Sequence, residues 1–279
     1  MLYLDAVPVL CDVEPASGNI DVADAERRLD SSVKAIIPVH LYGQPADIEA
    51  VTALANRYGL AVIEDAAQAI GARYRGKPVG SLGLFGCFSF YPGKNLGAAG
   101  EAGLVTTNDS ALAKRVRALR NHSQSERYTH TELGFNYRME GFQGLILGHK
   151  LSRLDAWTEQ RRSIARRYDA GLTGLPLALP QAVKSDHVYH LYVIRCEQRD
   201  RLRNFLRERG VETGLHYPVP IHRQPCLANL EVDRTSYPVG DRYAKDCLSL
   251  PIFSGMTNAQ ADRVVSAVRS FFACQKAIE

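Results

Sequence analysis

Residues 33–65 read VKAIIPVHLYGQPADIEAVTALANRYGLAVIED, and this stretch decides the fold class. Residues 33–39, apart from Lys34, and residues 60–63 are apolar runs rich in branched side chains, which is typical of strands buried on both faces. The residues between them carry apolar side chains at helical spacing, and we expect Pro45 to open this helix and Gly59 to end it. The order strand, helix, strand predicts an α/β layer fold with a mainly parallel sheet.

The same alternation extends in both directions along the chain. Apolar runs predict further strands at residues 7–13, 87–91 and 104–107. Helices are expected to begin at Asp21 and Asp109, because a side-chain carboxylate at that position accepts hydrogen bonds from the first free backbone N–H groups. These elements predict a single large α/β domain in the first part of the chain.

The second part is predicted to form a smaller α/β domain, which divides the chain into residues 1–155 and 156–279. One long helical pattern covers residues 142–168 and would bridge the two domains. Beyond it, the pattern predicts a strand at residues 189–194 and a last helix that begins at Thr257 with a capping box.

Composition excludes several classes of protein. The chain has 279 residues, of which 46% are hydrophobic and 23% charged, so it is neither disordered nor a disulfide scaffold. The net charge of +4 is small and the charges are interspersed, which does not favour a nucleic-acid partner. Six cysteines without a C-x-x-C pair favour unpaired thiols in the cytoplasm over disulfides or a metal site. No apolar run reaches the ~20 residues that a membrane span needs.

Two charged residues follow strands of the predicted sheet. Asp65 ends the strand at 60–63, and Lys94 follows the strand at 87–91 and a Pro-Gly turn. Because ligands of open α/β sheets bind outside the carboxyl ends of the strands, we expect the carboxylate and the amine to face one crevice. Taken alone, Asp65 is equally compatible with a helix cap, and Lys94 with an ordinary exposed lysine.

An amine and a carboxylate in one crevice suit catalysis with an aldehyde cofactor. A lysine amine condenses with the aldehyde, and a carboxylate stabilises a protonated ring nitrogen. A lysine with the usual pKa of about 10.4 is protonated and unreactive, so burial, the cofactor or the condensation itself must keep the amine neutral. The pair therefore indicates the chemistry of pyridoxal 5'-phosphate.

Two long segments resemble one enzyme family. EDAAQAIGARYRGKPVGSLG at 64–83 and CFSFYPGKNLGAAGEAGLVTTND at 87–109 are similar to the core of the DegT/DnrJ/EryC1/StrS family of pyridoxal-phosphate sugar aminotransferases. The similarity continues through 117–144, 188–195 and 214–226, so it covers essentially the whole chain. The resemblance implies an aspartate-aminotransferase-like (fold type I) large domain.

The resemblance also implies a reaction and its partners. The expected reaction moves an amino group from an amino acid, expected to be glutamate, to a nucleotide-linked keto sugar. Members of the family are homodimers with active sites at the interface, so a second copy is the expected protein partner. A deoxygenating relative has histidine in place of the Schiff-base lysine, and Lys94 argues against that reading.

Five positions match the family's cofactor residues. Lys94 matches the Schiff-base lysine, and Asp65 matches the partner of the pyridine nitrogen. Gln68 matches the residue near the phenolic oxygen, Ser89 the hydroxyl that contacts the phosphate, and Asn136 a residue that reaches the partner subunit's phosphate. Without the match, Ser89 reads as a strand serine bonded to backbone, and Asn136 as a turn asparagine.

A proline-rich segment supplies the substrate-side candidates. HYPVPIH resembles the family's substrate loop, which makes His216, Tyr217 and His222 candidates for contacting the sugar or the donor. Histidines beside prolines in a loop are also compatible with a surface role. His40, at the end of another strand, is compatible with either the pocket border or a hydrogen-bonded core position.

The beginning of the chain departs from the family pattern. Family members begin with a segment whose Gly-Ser/Thr-rich turn grips the cofactor phosphate, and no equivalent precedes residues 7–13. We therefore expect a large domain that is incomplete at its N-terminus. The alternative function is a non-catalytic, truncated paralogue that retains the fold and the dimer surface.

Overall fold

The computed structural model describes residues 1–181, 185–228 and 237–276. Its strands are β1 (Ala35–Ile36), β2 (Ala61–Asp65), β3 (Arg73–Tyr74), β4 (Lys77–Pro78), β5 (Phe85–Ser89), β6 (Gly103–Thr106), β7 (Gln124–Glu126), β8 (Thr129–His130), β9 (Ser185–Asp186), β10 (Tyr192–Arg195) and β11 (Cys247–Leu250). Its helices are α1 (Val22–Arg27), α2 (Ile48–Tyr58), α3 (Ser110–Leu119), α4 (Gly141–Leu151), α5 (Leu154–Leu172), α6 (Arg199–Glu208), α7 (Pro238–Asp246) and α8 (Asn258–Lys276). Within these ranges, no helix is long and apolar enough to span a membrane.

A four-stranded sheet forms the centre of the first part, in the order β1-β2-β5-β6. β1, β2 and β5 are parallel, and β6 pairs antiparallel with β5. In this register Asp65, the last residue of β2, lies opposite Cys87 of β5. The prediction of an α/β fold with a mainly parallel sheet is confirmed, and the sheet's carboxyl edge carries the residues of interest.

Helix α2 packs its apolar face on this sheet. Ile48, Val51 and Leu54 are at most 3% exposed and join a core with Ile36 and Val62 of the strands. Burying each such side chain stabilises the fold by ~1.5–3 kcal/mol relative to exposing it.

Only the C-terminal end of α2 lies where the sequence pattern predicts it. Gly59 ends the helix with a φ of 66°, a left-handed conformation that glycine adopts without strain. The helix begins later than predicted, because the side chain of Asp47 accepts a hydrogen bond from the N–H of Ala50. The prediction that Pro45 opens the helix was therefore wrong by three residues.

The first predicted strand, at residues 7–13, does not form. Only Val13 pairs, through a single antiparallel bridge to Ile20. Val7 and Val9 are 81% and 50% exposed. In the described part of the chain residues 7–12 pair with no neighbouring strand, and β propensity alone does not make a strand without such a partner.

The predicted bridging helix is two helices. α4 ends at Leu151, and Arg153 donates its N–H to the carbonyl of Lys150, a tightened turn after which α5 begins. Neither glycine nor proline marks this break, so the pattern did not predict it. The predicted domain boundary at 155/156 lies in the first turn of α5.

The second part has its own core between helices α5, α6 and α8 and the antiparallel pair β10-β11. The prediction for the last helix is confirmed at its N-terminus. Thr257 N–H donates to Gln260 Oε1 at 2.8 Å, and Gln260 N–H donates to Thr257 Oγ1 at 3.2 Å, which is the expected reciprocal capping box.

Candidate active site

Asp65 is held at the carboxyl end of β2 by its backbone. Its N–H donates to the carbonyl of Pro38 and its carbonyl accepts from His40, both at 2.9 Å. Its carboxylate Oδ1 accepts the N–H of Ala67 at 3.0 Å, so the turn-capping contact considered from sequence is present. Among the described residues this is the carboxylate's one hydrogen bond, which leaves it oxygen lone pairs for a ligand.

Lys94 follows β5 in a tight turn. Its N–H donates to the carbonyl of Tyr91 at 2.9 Å, and the chain folds back so closely at Gly97 that a Cβ there would lie 2.3 Å from the carbonyl oxygen of Pro92. Burial lowers the pKa of the half-buried Lys94 amine, while the negative charge of Asp65 raises it. The two side chains are thus close enough to act on each other, as the strand-end pattern predicted.

Gln68 has both ends of its amide engaged. Its Oε1 accepts the N–H of Tyr42 at 2.6 Å, and its Nε2 donates to the hydroxyl of Tyr217 at 3.0 Å. The structure therefore brings two sequence candidates, Gln68 and Tyr217, into direct contact although 149 positions separate them. Tyr217 is 53% exposed, so part of the residue is open to a ligand.

His216 is fixed from two sides. The hydroxyl of Tyr42 donates to the carbonyl of His216, and the imidazole Nδ1 lies 2.7 Å from Ser249 Oγ. Burial lowers the pKa of His216, which favours the neutral ring. An open groove of about 300 Å³ lies beside it, with mostly apolar walls that include Phe253. Sequence reasoning missed Tyr42 and Ser249.

The other sequence candidates lie apart from these contacts. Ser89 Oγ accepts the N–H of Tyr91 at 3.3 Å, and exposed Asn136 accepts from Arg138 Nε at 2.7 Å. His222 is 4% exposed, and its Nε2 lies 2.8 Å from Asp241 on α7. These three assignments stay predictions.

Sequence reasoning also missed His190, which interacts with the charge of Lys94. The pKa of His190 is lowered to about 3, mainly by burial and to a smaller extent by the charges of Lys94, Arg161 and His216. Its Nδ1 is buried without a hydrogen-bond partner among the described residues. His190 is therefore a neutral ring beside the amine.

Glu64 is a fully buried carboxylate directly beside the site. It accepts backbone N–H groups from Gly80, Leu82 and Gly83, each at 2.7 Å, and its Oε2 lies 3.0 Å from His40 Nε2. These bonds tie the loop after β4 to β2. The only available sequence signal was a charged residue at an inward position of an apolar strand.

His40 is a hydrogen-bonded core residue. Its Nδ1 accepts the N–H of Ala46 at 3.0 Å, so that nitrogen carries no proton and the ring donates from Nε2 to Glu64. Both of its nitrogens are used in the core, which supports the second of the two readings considered for it.

Substituting Asp65 is expected to change the reactivity of Lys94 without any cofactor. The Asp65 carboxylate raises the Lys94 pKa, so Asp65→Asn lowers it further and leaves more neutral amine. Acylation of Lys94 at mildly alkaline pH, followed by mass spectrometry, should become faster by roughly two- to tenfold, up to one pKa unit. Exposed Lys77 is the internal control, and an unchanged or slower rate at Lys94 would contradict the pairing.

The chain is similar to proteins of one enzyme family. The model of the DegT/DnrJ/EryC1/StrS aminotransferase family matches residues 1–269. The chain is 46% identical to the pleiotropic regulatory protein of Geobacillus stearothermophilus over 271 residues, 96% of this chain and 73% of that protein. It is 43% identical to the dTDP-3-amino-3,4,6-trideoxy-alpha-D-glucose transaminase of Streptomyces venezuelae over 268 residues, 95% of this chain and 71% of that protein.

A solved structure matches the whole arrangement of elements. The crystal structure of S. venezuelae DesV, in complex with a ketimine intermediate, superposes with a TM-score of 0.92 at 43% identity, covering 95% of this chain and 72% of that one. The fold and the sequence agree on one family. The chain belongs to the DegT/DnrJ/EryC1/StrS aminotransferase family.

Proposed function

We propose that this chain uses pyridoxal phosphate to transfer an amino group from an amino acid, expected to be glutamate, to a ketone of a nucleotide-linked sugar. One observation carries the proposal. The half-buried amine of Lys94 has a lowered pKa and interacts with the negative charge of Asp65 at the same edge of the sheet. The transaminase name of the S. venezuelae relative supports the substrate class.

The residues of the site fit this cofactor by their chemistry. Lys94 offers an amine for the aldehyde carbon, and Asp65 a carboxylate for the ring nitrogen. Gln68 offers an amide N–H for the phenolic oxygen. Ser89 is proposed for the phosphate, and Asn136 for the phosphate bound by a second copy. When bound, the cofactor supplies an electron sink for the substrate carbon.

Three features of the chain then serve the reaction. The lowered pKa of Lys94 increases the fraction of neutral amine, which can add to the aldehyde carbon and can take up the proton that must move. The Asp65 carboxylate would keep the ring nitrogen of a bound cofactor protonated. The neutral ring of His190 adds no further positive charge beside the amine.

The substrate side is proposed at the loop that carries His216 and Tyr217. The exposure of Tyr217 and the groove beside His216 support binding of the donor or the sugar there. His222 is kept as a weaker substrate candidate, because it is buried against Asp241. The division into domains 1–155 and 156–279 remains part of the proposal. The cytoplasmic location expected from the cysteines stays a prediction.

A homodimer is the proposed assembly. Apolar side chains near Asn136 are exposed, which a second copy would cover: Leu133, Phe135, Tyr137, Phe142 and Leu145. Analytical ultracentrifugation measures this directly, and a monomer at micromolar concentration would rule the assembly out.

Reduction with borohydride tests the cofactor site. The chain is incubated with pyridoxal phosphate, reduced, digested and analysed by mass spectrometry. We expect the phosphopyridoxyl group on Lys94. A modified exposed lysine such as Lys77 with Lys94 unmodified would overturn the proposal.

A non-catalytic role is the second candidate. The Geobacillus relative is named a pleiotropic regulatory protein, and this name supports considering a regulatory role for a chain of this fold. Borohydride labelling combined with a turnover assay distinguishes the two functions. Label on Lys94 together with formation of an amino sugar from a nucleotide-linked keto sugar supports the enzyme, and absence of both supports the second candidate.

A further inference from the structure

We infer that Tyr42 is a positioning residue that couples the loop carrying His216 and Tyr217 to the amide of Gln68. The inference rests on the proposed function, because it assigns Gln68 to the cofactor ring. Tyr42 itself is 8% exposed and packs against Val193 and Cys247 of the second part.

The backbone of Tyr42 has an unusual conformation. Its φ of 58° and ψ of 8° lie in the left-handed region, which costs a non-glycine residue about 1–2 kcal/mol. Gly43 follows at a φ of 94°, and a Cβ there would lie 2.8 Å from Val188 Cγ2 and 3.1 Å from the carbonyl oxygen of Gln68. The close packing at Gly43 maintains this conformation, which directs the Tyr42 N–H at the Gln68 side chain.

This N–H decides which way the Gln68 amide faces. A backbone N–H only donates, so the amide must turn its Oε1 toward Tyr42, at 2.6 Å. The opposite orientation would place two donors against each other at that distance. The amide NH₂ is therefore presented to the open side, where Tyr217 Oη accepts one of its hydrogens at 3.0 Å.

The side chain of Tyr42 contacts the loop that carries His216 and Tyr217. Its hydroxyl donates to the carbonyl of His216, the residue before Tyr217. Burial raises the pKa of Tyr42 well above its usual value, so the hydroxyl stays a donor. One residue thus orients the Gln68 amide through its backbone and anchors the loop that contacts that amide through its hydroxyl.

The test removes single hydroxyl groups. Tyr42→Phe keeps the backbone bond to Gln68 and loses the anchor on His216. Tyr168→Phe is the matched control, because Tyr168 is fully buried and its hydroxyl donates to the carbonyl of Pro251 at 2.7 Å, within the core of the second part. Both changes remove one partly buried hydroxyl-to-carbonyl bond, and Tyr168→Phe also removes a long contact with Met256 Sδ at 3.9 Å, so a purely structural role predicts effects of similar size.

Two readouts are expected to separate the variants. In the cofactor-free chain, hydrogen exchange at residues 214–217 should be about three- to tenfold faster in Tyr42→Phe than in Tyr168→Phe, the change expected for loss of one hydrogen bond. With pyridoxal phosphate added, the pH at which the visible absorbance changes should shift in Tyr42→Phe and not in the control. Equal exchange and equal titration in the two variants would overturn the inference.

A second variant keeps the inference testable if Tyr42→Phe does not fold. Tyr217→Phe removes the acceptor of the Gln68 N–H and leaves the anchor on His216, so it should shift the absorbance titration with exchange at 214–217 unchanged. An unshifted titration would overturn the coupling. Failure of borohydride to label Lys94 in the unsubstituted chain would instead refute the proposed function, since the exchange readout needs no cofactor.

Discussion

Replacing Lys94 by arginine is expected to abolish attachment of pyridoxal phosphate and to lower the rate of amino transfer at least about a thousandfold. The guanidinium keeps a positive charge at this position, but it neither condenses with the aldehyde nor gives up its proton at neutral pH. Proton transfer by a positioned side chain is worth ~10²–10⁴ in rate, and the covalent contribution is lost in addition. The measurements are borohydride labelling and single-turnover rates with glutamate.

The controls for this prediction separate charge from chemistry. Lys77→Arg makes the same substitution at an exposed position on β4 and should change neither readout. Lys94→Ala opens a space at the amine, and added methylamine should restore part of its proton-transfer rate. A Lys94→Arg variant that retains more than about a tenth of the rate is incompatible with the assigned role.

The second large effect concerns stability. Glu64→Gln is expected to lower the free energy of unfolding by about 3–5 kcal/mol, the cost of breaking a buried, hydrogen-bonded charge site. The carboxylate accepts four hydrogen bonds, and an amide turns a donor toward Gly80 or His40. Urea denaturation at neutral pH measures the change through the unfolding midpoint.

The stability contribution of Glu64 should also depend on pH in a defined direction. Burial raises the pKa of Glu64, but the hydrogen bonds from His40, Gly80 and Gly83 outweigh it, and the folded pKa lies below 4.5. The stabilisation is therefore present above pH 4.5 and is lost as the pH falls through the lower folded value. The gap between the unsubstituted chain and Glu64→Gln should narrow over that acidic range.

Glu49→Gln is the matched control for this experiment. Glu49 pairs with Arg75 at 2.8 Å, but both side chains are more than half exposed, and such pairs contribute at most about 1 kcal/mol. If Glu64→Gln destabilises no more than Glu49→Gln, the buried carboxylate does not hold the loop after β4.

Local signals explain which parts of the fold were predictable from sequence. The strand before Asp65, the stop at Gly59 and the capping box at Thr257 each depend on a few neighbouring residues, and the structure confirms all three. The absent strand at residues 7–13 and the break between α4 and α5 depend on partners elsewhere in the chain. Apolar character and propensity do not encode such partners.

The residues of the site also fall into those that local sequence signals predict and those that depend on distant contacts. Asp65 and Lys94 were predictable as a pair because each follows a strand, and the carboxyl ends of strands in a parallel sheet share an edge. Tyr42 and His190 were missed, because one acts through a backbone conformation and the other through distant packing. Gln68 was matched to the ring's phenolic oxygen, but its contact with Tyr217 joins residues far apart in sequence.

The bond between the Tyr42 hydroxyl and the His216 carbonyl has a practical consequence for protein engineering. A chimera that imports residues 212–253 from a relative to change sugar selectivity would receive a new loop but keep the host's anchor. The Tyr42 hydroxyl binds a main-chain oxygen, so this hydrogen bond does not depend on the side chain at position 216. Loop libraries built at His216 and Tyr217 should therefore retain this main-chain anchor as long as Tyr42 and Gly43 are left untouched, although they lose the side-chain contacts with Ser249 and Gln68.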